Sequence, residues 1–285
     1  MALPCNPSLP PTLQNSSPPC LSPSPTFPSP SIRPSFSTLN GSSKCSSSTK
    51  LGREKWLGDL CVPVYSTSEV IEKMREGKAN GVLEEHPYRA MYSSLLGGII
   101  MDPALMVVPM DDHMVHRGHG VFDTAMLVNG YLYDLDAHLD RFLRSASAAK
   151  ISHPYPHETL RGIVLLLAAA SRLKTGSLRY WLSSGPGDFS LSPPSNPRPA
   201  FYSLAMETTF SRELEGVKII TSTIPMKPSK FATMKSVNYL PNVLSKMEAE
   251  ERGAFSSIWV DDHGCIAEGP NTNIAFVSKE RALAS

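Results

Sequence analysis

Apolar residues in the first half of the chain follow the spacings of strands and helices in turn. A short helix is predicted over Ser68–Glu76. The runs Phe122–Val128 and Tyr131–Leu135 are rich in strand-forming residues, and Asn129-Gly130 between them is typical of a two-residue type I′ turn. The pattern therefore predicts a β-hairpin.

A helix is predicted after the hairpin because apolar residues recur there three and four positions apart, at Leu139, Phe142, Leu143 and Ala146. A second helix is predicted from His157 to Leu173, and a strand from Leu178 to Ser183. The apolar run Ile163–Ala170 is far shorter than the roughly 20 residues that cross a bilayer, so we interpret it as part of a buried helix.

The pattern restarts after Ser183–Pro199, which is rich in Gly and Pro. Strands are predicted near Phe201–Met206 and Val217–Thr221. A helix then follows, with Asn238 as its N-cap, Gly253 as its end and one apolar face formed by Leu240, Val243, Leu244 and Met247.

Short strands are predicted toward the end of the sequence, at Ser257–Val260, Cys265–Ala267 and Asn273–Val277. A turn over 262–264 separates the first two, and Glu268 lies where the second strand ends. Lys235 precedes the helix N-terminus.

The N-terminal segment differs in composition from the rest of the chain. Ser and Pro dominate it, and no Asp or Glu occurs before Glu54. Such a segment cannot bury enough apolar surface to fold, and an acid-poor, Ser-rich leader without a continuous apolar core is typical of an organelle transit peptide, here of a plastid. The alternative is a Pro-rich tail without a targeting role. We expect a plastid stromal protein.

The five cysteines have no regular spacing, which argues against a disulfide framework: Cys5, Cys20, Cys45, Cys61 and Cys265. Removal of the leader would leave two thiols, which suits a reducing compartment. The formal net charge is +1, and no basic stripe interleaved with aromatic residues is present. We therefore expect a small-molecule substrate and neither nucleic acid nor a membrane as partner.

Two residues of the second half suit carbonyl chemistry. Lys235 is flanked by small and apolar residues near a helix N-terminus, where a lowered pKa would leave a nucleophilic amine. Glu268, in a tight turn, could pair with a pyridinium nitrogen. Spacing alone also allows a solvated surface lysine.

The segment Lys235–Val277 resembles the core signature of the class IV, or fold-type IV, pyridoxal-phosphate aminotransferases. Lys235, Glu268, Gly269 and Asn273 fall on that motif in order and spacing. The resemblance implies pyridoxal 5'-phosphate as cofactor, Lys235 as its Schiff-base and proton-transfer residue, and Glu268 and Asn273 as cofactor-binding residues.

A second matching stretch, from His116 to Ala146, is similar to the family's small-domain signature. Its His-x-x-Arg step implies that Arg141 binds the cofactor phosphate, for which a guanidinium fork is suited. The resemblance also assigns Tyr239 to the cofactor's phenolic oxygen, with a one-residue gap relative to the family's tyrosine. A homodimer is implied as well.

The resemblance implies an α+β fold with a small α/β domain followed by a larger β-rich pseudo-barrel. The predicted segments are a transit peptide (1–52), an N-terminal extension (53–88), the small domain (89–186), a connector (187–200) and the first part of the pyridoxal-phosphate domain (201–285). Relatives continue well past the Glu268 turn, so we expect a truncated large domain with exposed strand edges.

Several activities remain open within the family. Thr124 in Phe122-Asp123-Thr124 is characteristic of aminodeoxychorismate lyases, in which it assists elimination of pyruvate; as an alternative, it merely fills a strand. The Arg-x-His pair of bacterial D-amino-acid aminotransferases is replaced by Ser183–Pro186. The sequence is similar to plant enzymes described as lyases and as D-amino-acid aminotransferases. A branched-chain-type aminotransferase and a catalytically inactive truncated product are the alternatives.

The histidines near Asp111 and Asp112 offer a rival site. His113, His116 and His119 have a spacing seen in metal ligands. Because Gly118 and Gly120 favour a turn over a helix, their side chains need not converge, and we predict no metal site.

Overall fold

The computed structural model describes residues 63–79, 87–209, 216–261, 263–277 and 282–284. The predicted leader with its three cysteines, together with Cys61 and Asp262, lies outside these residues. Among the described residues, no helix is long and apolar enough to cross a membrane.

The described chain contains both helices and strands. The helices are α1 (Thr67–Ala79), α2 (His113–Arg117), α3 (Leu135–Ala148), α4 (His157–Ser171), α5 (Ser229–Ala232) and α6 (Leu240–Glu251). The strands are β1 (Tyr88–Ser93), β2 (Gly98–Ile100), β3 (Gly120–Val128), β4 (Tyr131–Leu132), β5 (Gly176–Ser183), β6 (Ala200–Met206), β7 (Ile219–Thr221), β8 (Ser256–Ile258), β9 (Ala275–Val277) and β10 (Ala282–Ala284).

Within the described part of the chain, β1 to β6 form an antiparallel six-stranded sheet in the order β2-β1-β6-β5-β3-β4. The sheet extends past the predicted connector, because β6 follows that connector and pairs with both β1 and β5. Mixed helices and an antiparallel sheet confirm the predicted α+β class.

The core lies between one face of this sheet and the helices α3 and α4. Alternate residues of β3 are buried, as its period of two requires, and Leu139, Phe142 and Leu160 pack against them. The β3–β4 hairpin forms as predicted, with Asn129 and Gly130 both at positive φ (51° and 83°).

Two predicted elements are shorter or less buried than expected. The strand predicted over Tyr131–Leu135 ends at Leu132, because Leu135 already begins α3. The run Ile163–Ala170 is buried on one side alone, since Leu166 in α4 is 66% exposed.

Helix α6 buries the face opposite the predicted apolar one. Its buried residues are small or polar, Asn242, Ser245 and Ala249, whereas the predicted apolar residues are exposed: Leu240, Val243, Leu244 and Met247. Hydrogen bonds to neighbouring segments offset the cost of burying this polar face. Asn242 donates to the carbonyl of Pro270, and the hydroxyls of Ser245 and Ser257 lie 2.7 Å apart. Tyr239, not Asn238, occupies the N-cap position of α6.

The remaining described strands form short pairs. β7 pairs in parallel with β8, and β9 pairs in antiparallel with β10. A bridge between Val260 and Ile266 closes the predicted turn, so Glu268 follows a returning segment as expected.

Candidate active site

The backbone of Lys235 joins the sheet at the edge of β3. The amide of Phe122 donates to the carbonyl of Lys235 at 2.9 Å, and that of Val237 donates to the carbonyl of Gly120 at 3.0 Å. β4 covers the same edge farther along, at Leu127 and Val128. The segment 235–237 therefore behaves as a short extra strand, which fixes where the lysine lies.

The amine of Lys235 lies between two aromatic side chains. Its Nζ is 4.9 Å from the ring centroid of Phe122 and donates to the hydroxyl of Tyr239 at 3.3 Å. The two rings meet edge to face, with centroids 5.0 Å apart. The lysine is half-buried and not fully exposed on the surface. Its amine contacts these rings, which hold it in one place.

Ser145 of α3 connects the lysine segment to the helix that carries Arg141. Its hydroxyl donates to the carbonyl of Arg141 at 3.0 Å and accepts from the amide of Lys235 at 3.2 Å. The side chain is 3% exposed. A single buried hydroxyl thus sets the distance between two predicted site residues, and its role was not foreseen.

Arg141 is bound to a buried carboxylate. It holds Asp123, which is fully buried, through Nε and Nη2, and His138 approaches the same carboxylate at 3.0 Å. Burial opposes ionisation, but the hydrogen bonds from Arg141 and from the amide of Thr124 outweigh it and lower the pKa of Asp123. The same pair raises the pKa of Arg141, which keeps its charge.

Thr124 lies on the other face of β3, with Phe122. Its hydroxyl accepts from Nε of Arg179 at 3.1 Å, and the Arg179 guanidinium lies 5.6 Å from the ring centroid of Phe122. Thr124 makes no direct contact with Lys235 among the described residues, but both flank Phe122. Arg179 was not predicted as a site residue.

Glu268 and Asn273 line one cavity of about 330 Å³, together with Lys227 and Trp259. Gly269 makes the tight turn after Glu268. Its amide donates to the carbonyl of Thr272 at 2.9 Å, and a Cβ added there would collide with the Thr272 hydroxyl. Glu268 is exposed, and its charge acts on Lys227.

The predicted site residues are connected in two groups. In the first group, Lys235 donates to the Tyr239 hydroxyl, and Tyr239 interacts electrostatically with Arg141. In the second group, Glu268 and Asn273 line the same cavity. Lys227 links them, because its amine lies 4.5 Å from the Tyr239 ring centroid and responds to both Glu268 and Lys235.

The histidine segment is a one-turn helix, not the predicted turn. α2 begins after Asp112, whose carboxylate caps it, and ends at Gly118 with φ of 66°. The rings do converge: His113 lies 5.0 Å from His116 and 5.2 Å from His119, measured between centroids. They stack edge to face, and no cluster suited to hold a metal ion occurs in the described chain.

The antiparallel sheet with helices packed on it is the fold of the fold-type IV aminotransferases. Solved structures with the same fold include the branched-chain aminotransferases of Thermobaculum terrenum in its PLP-bound holo-form (TM-score 0.60, 16% identity, 70% of this chain and 67% of that one) and of Thermoproteus uzoniensis with norvaline (TM-score 0.60, 22%, 68% and 67%).

The chain belongs to the class IV amino-transferase family, whose model matches residues 120–284. It is 56% identical over 216 residues to the chloroplastic D-amino-acid transaminase of Arabidopsis thaliana, covering 76% of this chain and 57% of that protein. It is 26% identical to the D-alanine aminotransferase of Bacillus licheniformis, covering 66% of each. A bifunctional aminodeoxychorismate lyase / D-amino acid transaminase of Mycobacterium tuberculosis is also 26% identical, with 64% and 65% covered. The chain thus spans less than two thirds of the Arabidopsis protein.

Proposed function

We propose that this chain carries the pyridoxal-phosphate site of a transaminase that acts on D-amino acids. The observation that carries the proposal is the half-buried amine of Lys235, held between Phe122 and Tyr239. An amine fixed in this way is positioned for attack on a carbonyl carbon. The D-amino-acid specificity rests on the 56% identity to the Arabidopsis transaminase.

The donor set fits the cofactor's functional groups. An amine for the aldehyde comes from Lys235, a hydroxyl for the phenolic oxygen from Tyr239 and a carboxylate for the ring nitrogen from Glu268. Arg141 supplies a cation for the phosphate. Its Nε and Nη2 are bound to Asp123, whereas Nη1 makes no hydrogen bond within the described residues. When bound, pyridoxal phosphate supplies an electron sink for the carbanion left when the α-proton departs.

Each residue then has a distinct task. Lys235 holds the cofactor and afterwards, as a free amine, takes the α-proton and returns it to another atom. Glu268 keeps a proton on the ring nitrogen, and Asn273, which lines the same cavity, contributes to cofactor binding. Asp123 orients Arg141 toward the phosphate through two hydrogen bonds. Phe122 and Tyr239 shield the amine from water.

Aminodeoxychorismate lyase is the second candidate activity, favoured by Thr124. Its hydroxyl accepts a hydrogen bond from Arg179 and lies on the Phe122 side of β3, and we assign to it the transfer of a proton to the leaving pyruvate. The bifunctional Mycobacterium protein has both activities in its name. Both activities use the same proton transfer by Lys235. We also propose plastid localisation and a homodimer, following the leader and the chloroplastic relative.

The test uses the whole chain. Incubation with pyridoxal phosphate, reduction with borohydride and peptide mass spectrometry should place the label on Lys235. Lys235→Ala should lose that label, whereas Lys230→Ala, which changes an exposed lysine nearby, should retain it.

Product analysis follows with D-alanine plus 2-oxoglutarate, with aminodeoxychorismate and with L-leucine plus 2-oxoglutarate. Amino transfer from D-alanine supports the first proposal, and p-aminobenzoate supports the second. Transfer from L-leucine alone would favour a branched-chain-type enzyme. Absence of label from Lys235 would falsify both proposals.

A further inference from the structure

Lys227 is a second lysine at this site, eight positions before Lys235 in the sequence and outside the motif that the sequence revealed. It lies in the loop between β7 and α5. The loop is anchored by the indole of Trp259, which donates to the carbonyl of Ile224 at 2.8 Å and is 2% exposed. This anchor lies three residues before Lys227 and holds the adjoining part of the loop against the core.

The amine of Lys227 faces into the site. It lies 4.5 Å from the ring centroid of Tyr239, the side chain whose hydroxyl accepts from Lys235. Lys227 also lines the cavity of about 330 Å³ shared with Glu268 and Asn273. The cavity is large enough for a small organic acid beside the cofactor's position.

Burial lowers the pKa of Lys227, and the charge of Lys235 lowers it further, while Glu268 opposes the shift. The ammonium forms no ion pair with any carboxylate in the described part of the chain. A half-buried cation of this kind is poorly solvated, and an anion that reaches it gains more than one that meets a surface lysine.

The other cations of the site already have polar partners. Arg141 holds Asp123 through two hydrogen bonds, and Arg179 donates to the Thr124 hydroxyl. Lys235 donates to Tyr239 and, under the proposed function, holds the cofactor. Lys227, by contrast, contacts an aromatic face, which attracts a cation but leaves its N–H donors available.

We propose that Lys227 binds a carboxylate of the amino-acid or keto-acid substrate and thereby orients the substrate toward Lys235. The proposal rests on the proposed function, because a substrate carboxylate must lie near the Lys235 amine. It makes Lys227 a substrate-binding residue that the sequence motif does not contain.

The experiment measures binding of glutarate, which has carboxylates but no amino or keto group and cannot react. Calorimetry is performed on the whole chain loaded with pyridoxal phosphate. Lys227→Met and Lys227→Gln should weaken glutarate binding about ten- to a hundredfold, the usual loss for a hydrogen bond to a charged group. Lys227→Arg and the exposed control Lys230→Met should change it less than about threefold. The two neutral variants differ in polarity, so one remains informative if the other does not fold.

Each outcome separates this inference from the function on which it rests. Label on Lys235 with unchanged glutarate affinity in the neutral variants overturns the role of Lys227 and leaves the proposed function intact. If those variants lose pyridoxal-phosphate affinity but bind glutarate as the unaltered chain does, Lys227 binds the cofactor phosphate. That result also overturns the inference that Lys227 binds the substrate carboxylate. Absence of label from Lys235 in the unaltered chain refutes the proposed function itself.

Discussion

Arg141 donates two hydrogen bonds to the fully buried carboxylate of Asp123, from Nε to Oδ2 at 2.8 Å and from Nη2 to Oδ1 at 2.7 Å. This bidentate pair joins α3 to β3 beside the proposed cofactor site. Because a buried charge without its partner is costly, the pair can be broken only at a large cost in stability.

Asp123→Asn should lower the free energy of unfolding by about 2–4 kcal/mol, somewhat less than for a fully buried pair because Arg141 is 47% exposed. Urea denaturation measures the loss. Asp136→Asn is the matched control, since Asp136 pairs with Arg161 on the surface at 3.0 Å and should cost at most about 1 kcal/mol. Equal losses in the two variants would contradict the importance of the buried pair.

The same pair predicts a dependence of stability on pH. The folded-state pKa of Asp123 is lower than its ordinary value of 3.8, so its contribution is complete above that value. As pH falls from about 3.8 through the lower folded pKa, the unfolded chain binds more protons and the contribution is lost. Denaturation at a series of acid pH values should show a shallower loss in Asp123→Asn than in the unaltered chain. Parallel curves would exclude this origin.

Ser145→Ala should impair the positioning of Lys235 with little change elsewhere. Loss of the hydroxyl removes a bond to the Lys235 amide and one to the Arg141 carbonyl, for a destabilisation of about 1–2 kcal/mol. Labelling of Lys235 by pyridoxal phosphate should also become slower.

The control for this variant is Ser147→Ala, in the same helix. Ser147 bonds to the carbonyl of Leu143 at 3.0 Å, but it is exposed and does not contact the lysine segment. Its labelling rate should match that of the unaltered chain. If both serine variants slow labelling equally, the effect comes from the helix and not from Lys235.

Thr124→Ala should separate the two proposed activities. If its hydroxyl gives a proton to the leaving group, p-aminobenzoate formation should fall about a hundredfold, while transfer from D-alanine changes less than about threefold. Thr124→Ser keeps the hydroxyl that meets Arg179 and should retain the lyase rate. A parallel loss of both activities in Thr124→Ala would point to a role in shaping β3.

Two glycine substitutions should shift stability in opposite directions. Gly118 has φ of 66° and a Cβ there would collide with the amide of Asn238, so Gly118→Ala should cost more than about 1 kcal/mol. Gly162 lies inside α4 with open space around it, so Gly162→Ala should stabilise by about 0.5–1 kcal/mol. Thermal unfolding monitors both, and a destabilising Gly162→Ala would show that hidden contacts exist at that turn.

Local patterns predicted the elements well but not the contacts between them. The hairpin at Asn129-Gly130 and helix α3 follow from neighbouring residues, and both were correct. Which face of α6 is buried depends on hydrogen bonds to Pro270 and Ser257, which no helical periodicity contains. The neighbouring glycines likewise predicted a turn at α2, but the carboxylate of Asp112 caps a short helix there.

The chemistry was predicted in a similarly uneven way. Lys235 was identified by its motif, whereas Lys227, Arg179 and Ser145 were missed. None of these three lies in a sequence pattern that marks its role. Arg179 and Ser145 each act on a partner far away in the chain, Thr124 and Lys235. Lys227 could have been suspected from its closeness to Lys235, but its orientation toward Tyr239 is a product of folding.

The addition of segment 235–237 to the edge of β3 has a consequence for how the protein folds. The bond from Asn238 to Gly118 spans 120 positions of sequence, and the neighbouring bonds of Phe122 and Val237 are comparably long-range. Such contacts form only after a large loop has closed, so the lysine site is assembled late and cooperatively with the sheet. A molecule that binds at Lys235 will consequently hold two distant parts of the chain together. Its binding will raise the free energy of unfolding of the whole fold.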